Sequence, residues 1–168
     1  MSVRTSRLRR ATLAVLAAPM ALGAVAIGPA QTAQASHGSV GNSYEWRDTS
    51  DCPCYLGDEY DGTYFRHDSG GYAAKDRIYS HGDLVGKMEF HPYGEKFWIY
   101  DTKANNDAIW YKIDWKGGDW VGKVPSGRHS LMVDVDIPEG RDVTIEAYDD
   151  IADTGVPYNR LGDSYGTS

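Results

Sequence analysis

The stretch LMVDVDIPEGRDVTIEA, residues 131–147, alternates apolar and polar side chains on both sides of a turn at residues 138–141. Successive side chains of a β-strand point to opposite faces of the sheet, so this alternation predicts two half-buried strands. A Pro- and Gly-containing turn between two such runs predicts that they form a hairpin.

The period of two extends outward from this stretch through the second half of the chain. It recurs at residues 109–116, and the short runs Lys87–Phe90 and Phe97–Tyr100 flank a His-Pro-Tyr-Gly turn at residues 91–94. A sustained apolar stripe with a period of 3.6 residues would indicate a helix, and none occurs after residue 35. The pattern predicts an all-β domain at residues 76–153, an antiparallel β-sandwich of immunoglobulin-like or small jelly-roll type.

Residues 1–35 have the order of regions that is typical of a cleavable secretory signal peptide. Four arginines precede the uncharged apolar stretch Ala11–Ile27, which is followed by Ala33-Gln34-Ala35. Gly and Pro residues interrupt the apolar run, which disfavours a membrane anchor. We therefore expect cleavage after Ala35 and a secreted, extracellular product that does not insert into a membrane.

The expected mature chain is acidic. Cleavage removes four arginines and no acidic residue, so the formal net charge moves from -7 to -11 for residues 36–168. Nucleic acids and anionic membranes are bound through basic patches, so neither is a predicted partner. Other proteins, neutral glycans and divalent metals remain open. A chain of this length supports one domain with an ordinary core.

Residues 36–75 contain only two large aliphatic side chains, Val40 and Leu56. Such a segment cannot build a core alone, and its many Gly, Ser and Asp residues favour extended and turn conformations. Two interpretations remain open: an irregular leader that packs on its own domain, or an extended arm that binds a partner. The segment is rich in aromatics, which bury a large area at low entropic cost in contact surfaces. The predicted partner-binding residues are Tyr44, Trp46, Cys52, Cys54 and Tyr55. At the other end, residues 154–168 are predicted to form a polar surface tail.

Cys52-Pro53-Cys54 contains the only two cysteines of the chain. Oxidation is the expected fate of cysteines in an exported protein. A local Cys52–Cys54 disulfide is favoured, while a bridge to another chain and redox or metal chemistry stay open. Two thiolates fall short of the four ligands of a structural zinc site, so no metal site is predicted at this pair.

Carboxylates gather near the predicted hairpin. Asp134 and Asp136 share one strand face, and the hairpin would bring Glu146, Asp149 and Asp150 close to them. Solvation is the default interpretation of such an acidic face. Clustered oxygens also bind Ca²⁺, so calcium is the one candidate cofactor. Docking of a basic partner is the third interpretation.

Four short segments have distinctive sequences: GKMEFHPYGEKF at residues 86–97, Tyr100-Asp101-Thr102, PEGRDVTIEA at residues 138–147, and the closing Tyr165-Gly166-Thr167-Ser168. In these segments the chain resembles small exported actinobacterial β-sandwich proteins, and among them the adaptor subunits (UmbB type) of secreted umbrella toxin particles. Many of these relatives carry further cysteines in the sandwich, which this chain lacks. The resemblance implies a β-rich domain that docks on a large toxin subunit, with residues 36–55 inserting into a lectin-like subunit.

The sequence therefore predicts a secreted, non-enzymatic adaptor that bridges subunits of an extracellular antibacterial toxin complex. Two alternatives stay open. One is a stand-alone secreted glycan- or calcium-binding β-sandwich module. The other is a small secreted hydrolase or an inhibitor of one.

Overall fold

The computed structural model describes residues 40–103 and 107–168, so the predicted signal peptide lies outside the described residues. The described chain contains eleven β-strands and a single short 3₁₀ helix, which confirms the predicted all-β antiparallel fold. No helix in these two ranges is long and apolar enough to cross a membrane. The strands are β1 Val40–Asp48, β2 Cys54–Leu56, β3 Thr63–Phe65, β4 Tyr72–Ser80, β5 Asp83–His91, β6 Lys96–Asp101, β7 Trp110–Trp115, β8 Gly118–Lys123, β9 Ser130–Asp134, β10 Asp142–Ile151 and β11 Pro157–Thr167, and the 3₁₀ helix is Thr49–Asp51.

Nine of these strands form one antiparallel sheet that wraps nearly into a barrel. The sheet order is β8-β7-β10-β11-β4-β5-β6-β9, and β1 is an additional partner of β4. Strands β2 and β3 form a separate two-stranded sheet. Alternate residues of the large sheet fill its interior, among them Ile78, Met88, Phe90, Ile113 and Ile145, which are fully buried. Each such side chain contributes roughly 1.5–3 kcal/mol on burial, so this interior is the main source of stability.

The predicted hairpin at residues 131–147 is wrong, although both of its strands exist. Strand β9 pairs with β6, whereas β10 pairs with β7 and β11. After β9 ends, Val135 and Ile137 are buried, so the chain is held against the core instead of turning back on itself. Local alternation determines which face of a strand is buried, but it does not determine which strand lies beside it.

The predicted surface tail at residues 154–168 is also corrected, because it contains the eleven-residue strand β11. The buried positions at its end are small residues at every second position, Gly162, Ser164, Gly166 and Ser168. This strand pairs along β10, and Thr167 pairs with Tyr72 of β4. A search for alternating apolar residues does not detect this strand, because its alternating buried positions are small residues.

The N-terminal segment is part of the same fold. Strand β1 pairs with β4 over nine positions, so the domain boundary drawn between residues 75 and 76 falls inside a paired strand. After β1, the chain lies over the outer face of β4 and β5. Leu56 and Phe65 form a small second core with Ala73 there. Residues 49–65 therefore pack on their own domain, as the first of the two open interpretations had it.

Candidate functional site

Strand β1 lies at an edge of the large sheet. It pairs with β4 in a continuous register from Val40 opposite Ser80 to Asp48 opposite Tyr72. No other strand within residues 40–103 and 107–168 pairs with β1. An open strand edge presents unpaired N–H and C=O groups that can accept a strand from another chain.

A groove of about 800 Å³ runs beside this edge. Its lining includes the five consecutive residues Tyr44–Asp48, together with Asp51, Cys52, Cys54 and Tyr55. Neighbouring residues of a strand point to opposite faces, so a groove that contacts all five must follow the strand edge itself. We call this feature the β1 groove.

The aromatic side chains of the β1 groove are exposed. The exposed fractions of Tyr44, Trp46 and Tyr55 are 60%, 57% and 65%. The Trp46 ring also packs at a tilt against Tyr72, with 5.9 Å between the ring centroids. Clustered exposed aromatics of this kind mark an interaction surface more often than single exposed apolar residues do.

The wall opposite β1 is a tightly held turn. The Asp48 side chain accepts a hydrogen bond from the Ser50 N–H at 2.9 Å, which lowers the pKa of this carboxyl. The Thr49 hydroxyl donates to the Gly71 carbonyl at 2.8 Å. Cys52 and Cys54 form a disulfide, the favoured fate of this pair, with an S–S distance of 1.96 Å. These contacts give the groove one rigid side.

All five predicted partner-binding residues therefore line one groove: Tyr44, Trp46, Cys52, Cys54 and Tyr55. Their spacing in sequence is local, and the turn at residues 49–51 folds the second group back beside the first. Partner binding itself stays a prediction.

The predicted acidic face is not assembled. Asp134 ends β9 and Asp136 follows it, whereas Glu146, Asp149 and Asp150 lie on β10, which does not pair with β9. Glu146 lies instead 3.6 Å from Arg160 and 3.9 Å from Lys112. In the part of the chain that the structure describes, none of the five belongs to a cluster that could share a metal ion. Calcium binding at this face depended on the hairpin, which does not form.

Sequence reasoning missed a buried network of charges beneath the β2–β3 sheet. Lys75 and Lys87 lie on the outer face of β4 and β5, with fully buried side chains. Asp58 is 2.8 Å from the Lys75 ammonium and 3.1 Å from that of Lys87. Burial opposes the charge of Asp58, but hydrogen bonds from Lys75 and from the backbone N–H groups of Gly62 and Tyr60 outweigh it and lower its pKa. The network is charged and structural.

Glu89 extends this network along β5. It lies 2.8 Å from the Lys87 ammonium and 3.0 Å from His91 Nε2, and it accepts a hydrogen bond from Thr63 at 2.5 Å. Burial raises the pKa of Glu89, but His91 and Lys87 outweigh burial and lower it. Asp58, Asp61 and Glu89 are close enough to share a metal ion, yet the Lys87 ammonium contacts all three. That ammonium already supplies the positive charge a metal would bring.

The signal for the network was present in the sequence. Lys87, Glu89 and His91 alternate with Met88 and Phe90, which predicts a strand with one polar face exposed to solvent. The segment that covers this polar face contains few aliphatic residues. The sequence pattern therefore does not predict that the polar face is buried.

A scan against protein-family models, a search of curated proteins and a search of solved structures found no match. Function is therefore inferred from the residues of the chain itself, and the resemblance to umbrella toxin adaptors stays a prediction.

Proposed function

We propose that this protein is an exported, non-enzymatic adaptor that binds an extended segment of another secreted protein along the free edge of β1. The observation that carries the proposal is the β1 groove, which is lined by an unpaired strand edge and by three exposed aromatics. Following the resemblance, the partners are subunits of an extracellular antibacterial toxin complex, a lectin-like subunit and a large toxin subunit.

Strand addition fits the chemistry of this edge. Main-chain hydrogen bonds to an added strand give affinity, and pockets for its alternate side chains give specificity. The N–H and C=O groups on the open side of β1 supply the main-chain hydrogen bonds, and Tyr44, Trp46 and Tyr55 form the pockets for side chains. Natural edge strands are usually protected by lysine, proline or a bulge. The sequence of β1, VGNSYEWRD, contains neither lysine nor proline.

The resemblance implied an arm that inserts into its partner, and the fold suggests a variation on that arrangement. Because β1 is paired with β4 over its whole length, it would receive a partner strand without leaving its own sheet. Deleting the segment would also remove a sheet strand, so point substitutions in the groove are the sharper test.

The test uses the mature protein, residues 36–168, immobilised and exposed to culture supernatant of the producing organism. The variant Tyr44→Ala/Trp46→Ala/Tyr55→Ala should retain its specific partners at least ~30-fold more weakly, since truncating central aromatics typically costs 2 kcal/mol or more each. Bound proteins are identified by mass spectrometry and their affinities are then measured with purified partners.

The matched control is Met132→Ala/Val156→Ala, which truncates exposed apolar side chains outside the groove. Both variants should keep the free energy of unfolding within about 1 kcal/mol of the parent, because the replaced side chains are exposed. Equal retention of the same partners by the parent and the triple variant would exclude the β1 groove as the binding site.

A further inference from the structure

A second pocket, of about 280 Å³, lies at the edge of the buried charge network. It is bounded by the chain from Gly62 to Arg66, by the end of β5 and by β6. Its volume is close to the lower end of the roughly 300–1,000 Å³ typical of small-molecule sites. Its lining includes Tyr64, Arg66, Glu89, His91, Lys96, Trp98 and Tyr100.

Aromatic rings form the apolar walls of this pocket. Trp98 and Tyr100 lie nearly parallel, with 6.3 Å between their centroids and an angle of 25° between their planes. Tyr64 is exposed, and Phe65 packs against His91 at 4.8 Å. Such surfaces suit a ring-shaped ligand that can stack.

Two polar atoms of the pocket make no hydrogen bond to a described residue. Tyr100 is only 8% exposed, and its hydroxyl makes no hydrogen bond to any described residue. His91 is held through Nε2 by Glu89 at 3.0 Å, while its Nδ1 makes no hydrogen bond within the described part of the chain. Neither atom is shut off from solvent, so both are available to accept hydrogen bonds from, or donate them to, the hydroxyl groups of a ligand.

The charges around the pocket favour an anion. Arg66 and Lys96 line it, and neither forms an ion pair with another described residue, although the chain has a net charge of -7. An organic cation is disfavoured, because protein cations already occupy ring faces here. The Arg66 guanidinium lies 4.1 Å from the Tyr93 centroid, and the Lys87 ammonium lies 4.2 Å from that of Tyr100.

We propose that this pocket binds a sugar ring that carries a carboxylate, such as a uronic acid at the end of an acidic polysaccharide. The ring stacks on Trp98 and Tyr64, and the carboxylate pairs with Arg66 and Lys96. Ring hydroxyls satisfy the Tyr100 hydroxyl and His91 Nδ1. Glu89 is held by Lys87, Thr63 and His91, so it positions the imidazole and does not need to contact the ligand.

The test measures binding of D-glucuronate, D-glucose and benzoate to the mature protein by NMR chemical-shift titration. Glucuronate should bind saturably, and glucose, which lacks the carboxylate, should bind at least about tenfold more weakly, because two cations lose their partner. Benzoate keeps the charge and a flat ring but has no hydroxyl groups, and it should also bind more weakly than glucuronate.

Three variants separate the proposed contacts. Trp98→Ala should abolish saturable binding of glucuronate, and Tyr100→Phe, which removes only the unpaired hydroxyl, should weaken it about five- to tenfold. Trp110→Ala removes a tryptophan on β7, outside the pocket, and should leave binding unchanged. A far-ultraviolet circular dichroism spectrum and a thermal unfolding curve verify that each variant is folded.

The proposal is overturned if glucuronate does not saturate, if glucose or benzoate binds as tightly, or if folded Tyr100→Phe binds like the parent. Failure here is distinct from failure of the adaptor role. The Tyr44→Ala/Trp46→Ala/Tyr55→Ala variant should bind glucuronate like the parent, because none of its three residues lines this pocket.

Discussion

The buried ammonium of Lys75 finds its partners in the segment that covers it. Its side chain is fully buried, its ammonium lies 2.8 Å from Asp58, and it donates hydrogen bonds to the carbonyls of Leu56 and Gly57. Removing one partner of a buried ion pair leaves the other charge buried and uncompensated, which is far more costly than losing a surface pair.

We predict that Lys75→Met lowers the free energy of unfolding by about 3–5 kcal/mol, because it leaves Asp58 with reduced compensation. Lys103→Met is the control, since Lys103 forms an exposed pair with Asp83 at 3.1 Å and should contribute less than about 1 kcal/mol. Urea denaturation followed by fluorescence measures both. Similar small losses in the two variants would contradict the structural importance of the buried network.

At the scale of elements, β11 shows why small residues matter as much as apolar ones. Gly166 lies where the end of β11 meets β4 and β5. A β-carbon added at this position would lie 2.5 Å from the Tyr72 carbonyl oxygen and 2.8 Å from Phe90 Cδ1. Neither atom can move easily, because one is backbone and the other belongs to a fully buried ring.

We predict that Gly166→Ala lowers the free energy of unfolding by about 1–3 kcal/mol, through overpacking at this junction. Gly41→Ala on β1 is the matched control, since no heavy atom lies within 4 Å of its added β-carbon. Its free energy of unfolding should stay within about 0.5 kcal/mol of the parent. Thermal melts of the two variants provide the comparison, and an unchanged Gly166→Ala melt would show that β11 does not close tightly on β4.

For the molecule as a whole, the carboxyl of Asp76, which interacts with residues of two other strands, makes the free energy of unfolding depend on pH. Its carboxyl lies in the interior and accepts hydrogen bonds from Asn42 of β1 at 3.2 and 3.4 Å, and Asp163 of β11 is a nearby like charge. Burial raises the pKa of Asp76 to about 7, against the lowering effect of the Asn42 and Arg77 hydrogen bonds. The folded protein therefore holds this proton more tightly than the unfolded chain does.

A carboxyl whose pKa is raised in the folded state stabilises the fold fully below its unfolded pKa of about 4, and this contribution is lost as pH rises through about 7. We predict that the parent loses about 2–4 kcal/mol of stability from Asp76 between pH 5 and 8.5. Asp76→Asn, which keeps the shape and cannot ionise, should remove most of this loss. Urea midpoints at the two pH values test it, and an unchanged pH dependence in Asp76→Asn would contradict the assignment.

The opposite sign applies to Asp58 and Glu89, whose pKa values are lowered in the folded state. Their contribution is present above the unfolded pKa of about 4 and is lost as pH falls through the lower folded values. For these three carboxyls taken together, the contribution to stability is greatest on the acidic side of neutrality.

Much of the fold could be predicted from local patterns. Alternation at residues 109–116, 131–137 and 143–147 predicted strands, and each region contains one, because the period of two is a property of the extended chain itself. The five aromatic and cysteine residues of the β1 groove were also predicted together, since a short turn is enough to bring them side by side. The pocket around Trp98 was not predicted, because its walls come from residues 62–66 and residues 89–100, which are distant in sequence.

Local sequence was enough to predict the all-β class and the buried face of most strands and to favour the Cys52–Cys54 disulfide, because each depends on residues close together in the chain. The three-dimensional fold was needed to show that β9 and β10 are not paired, that residues 157–167 form a sheet strand, and that Lys75, Lys87 and Glu89 are buried. These features depend on which distant segments meet. A local pattern shows which face of a strand could be buried. Whether that face is buried depends on the distant segment that covers it.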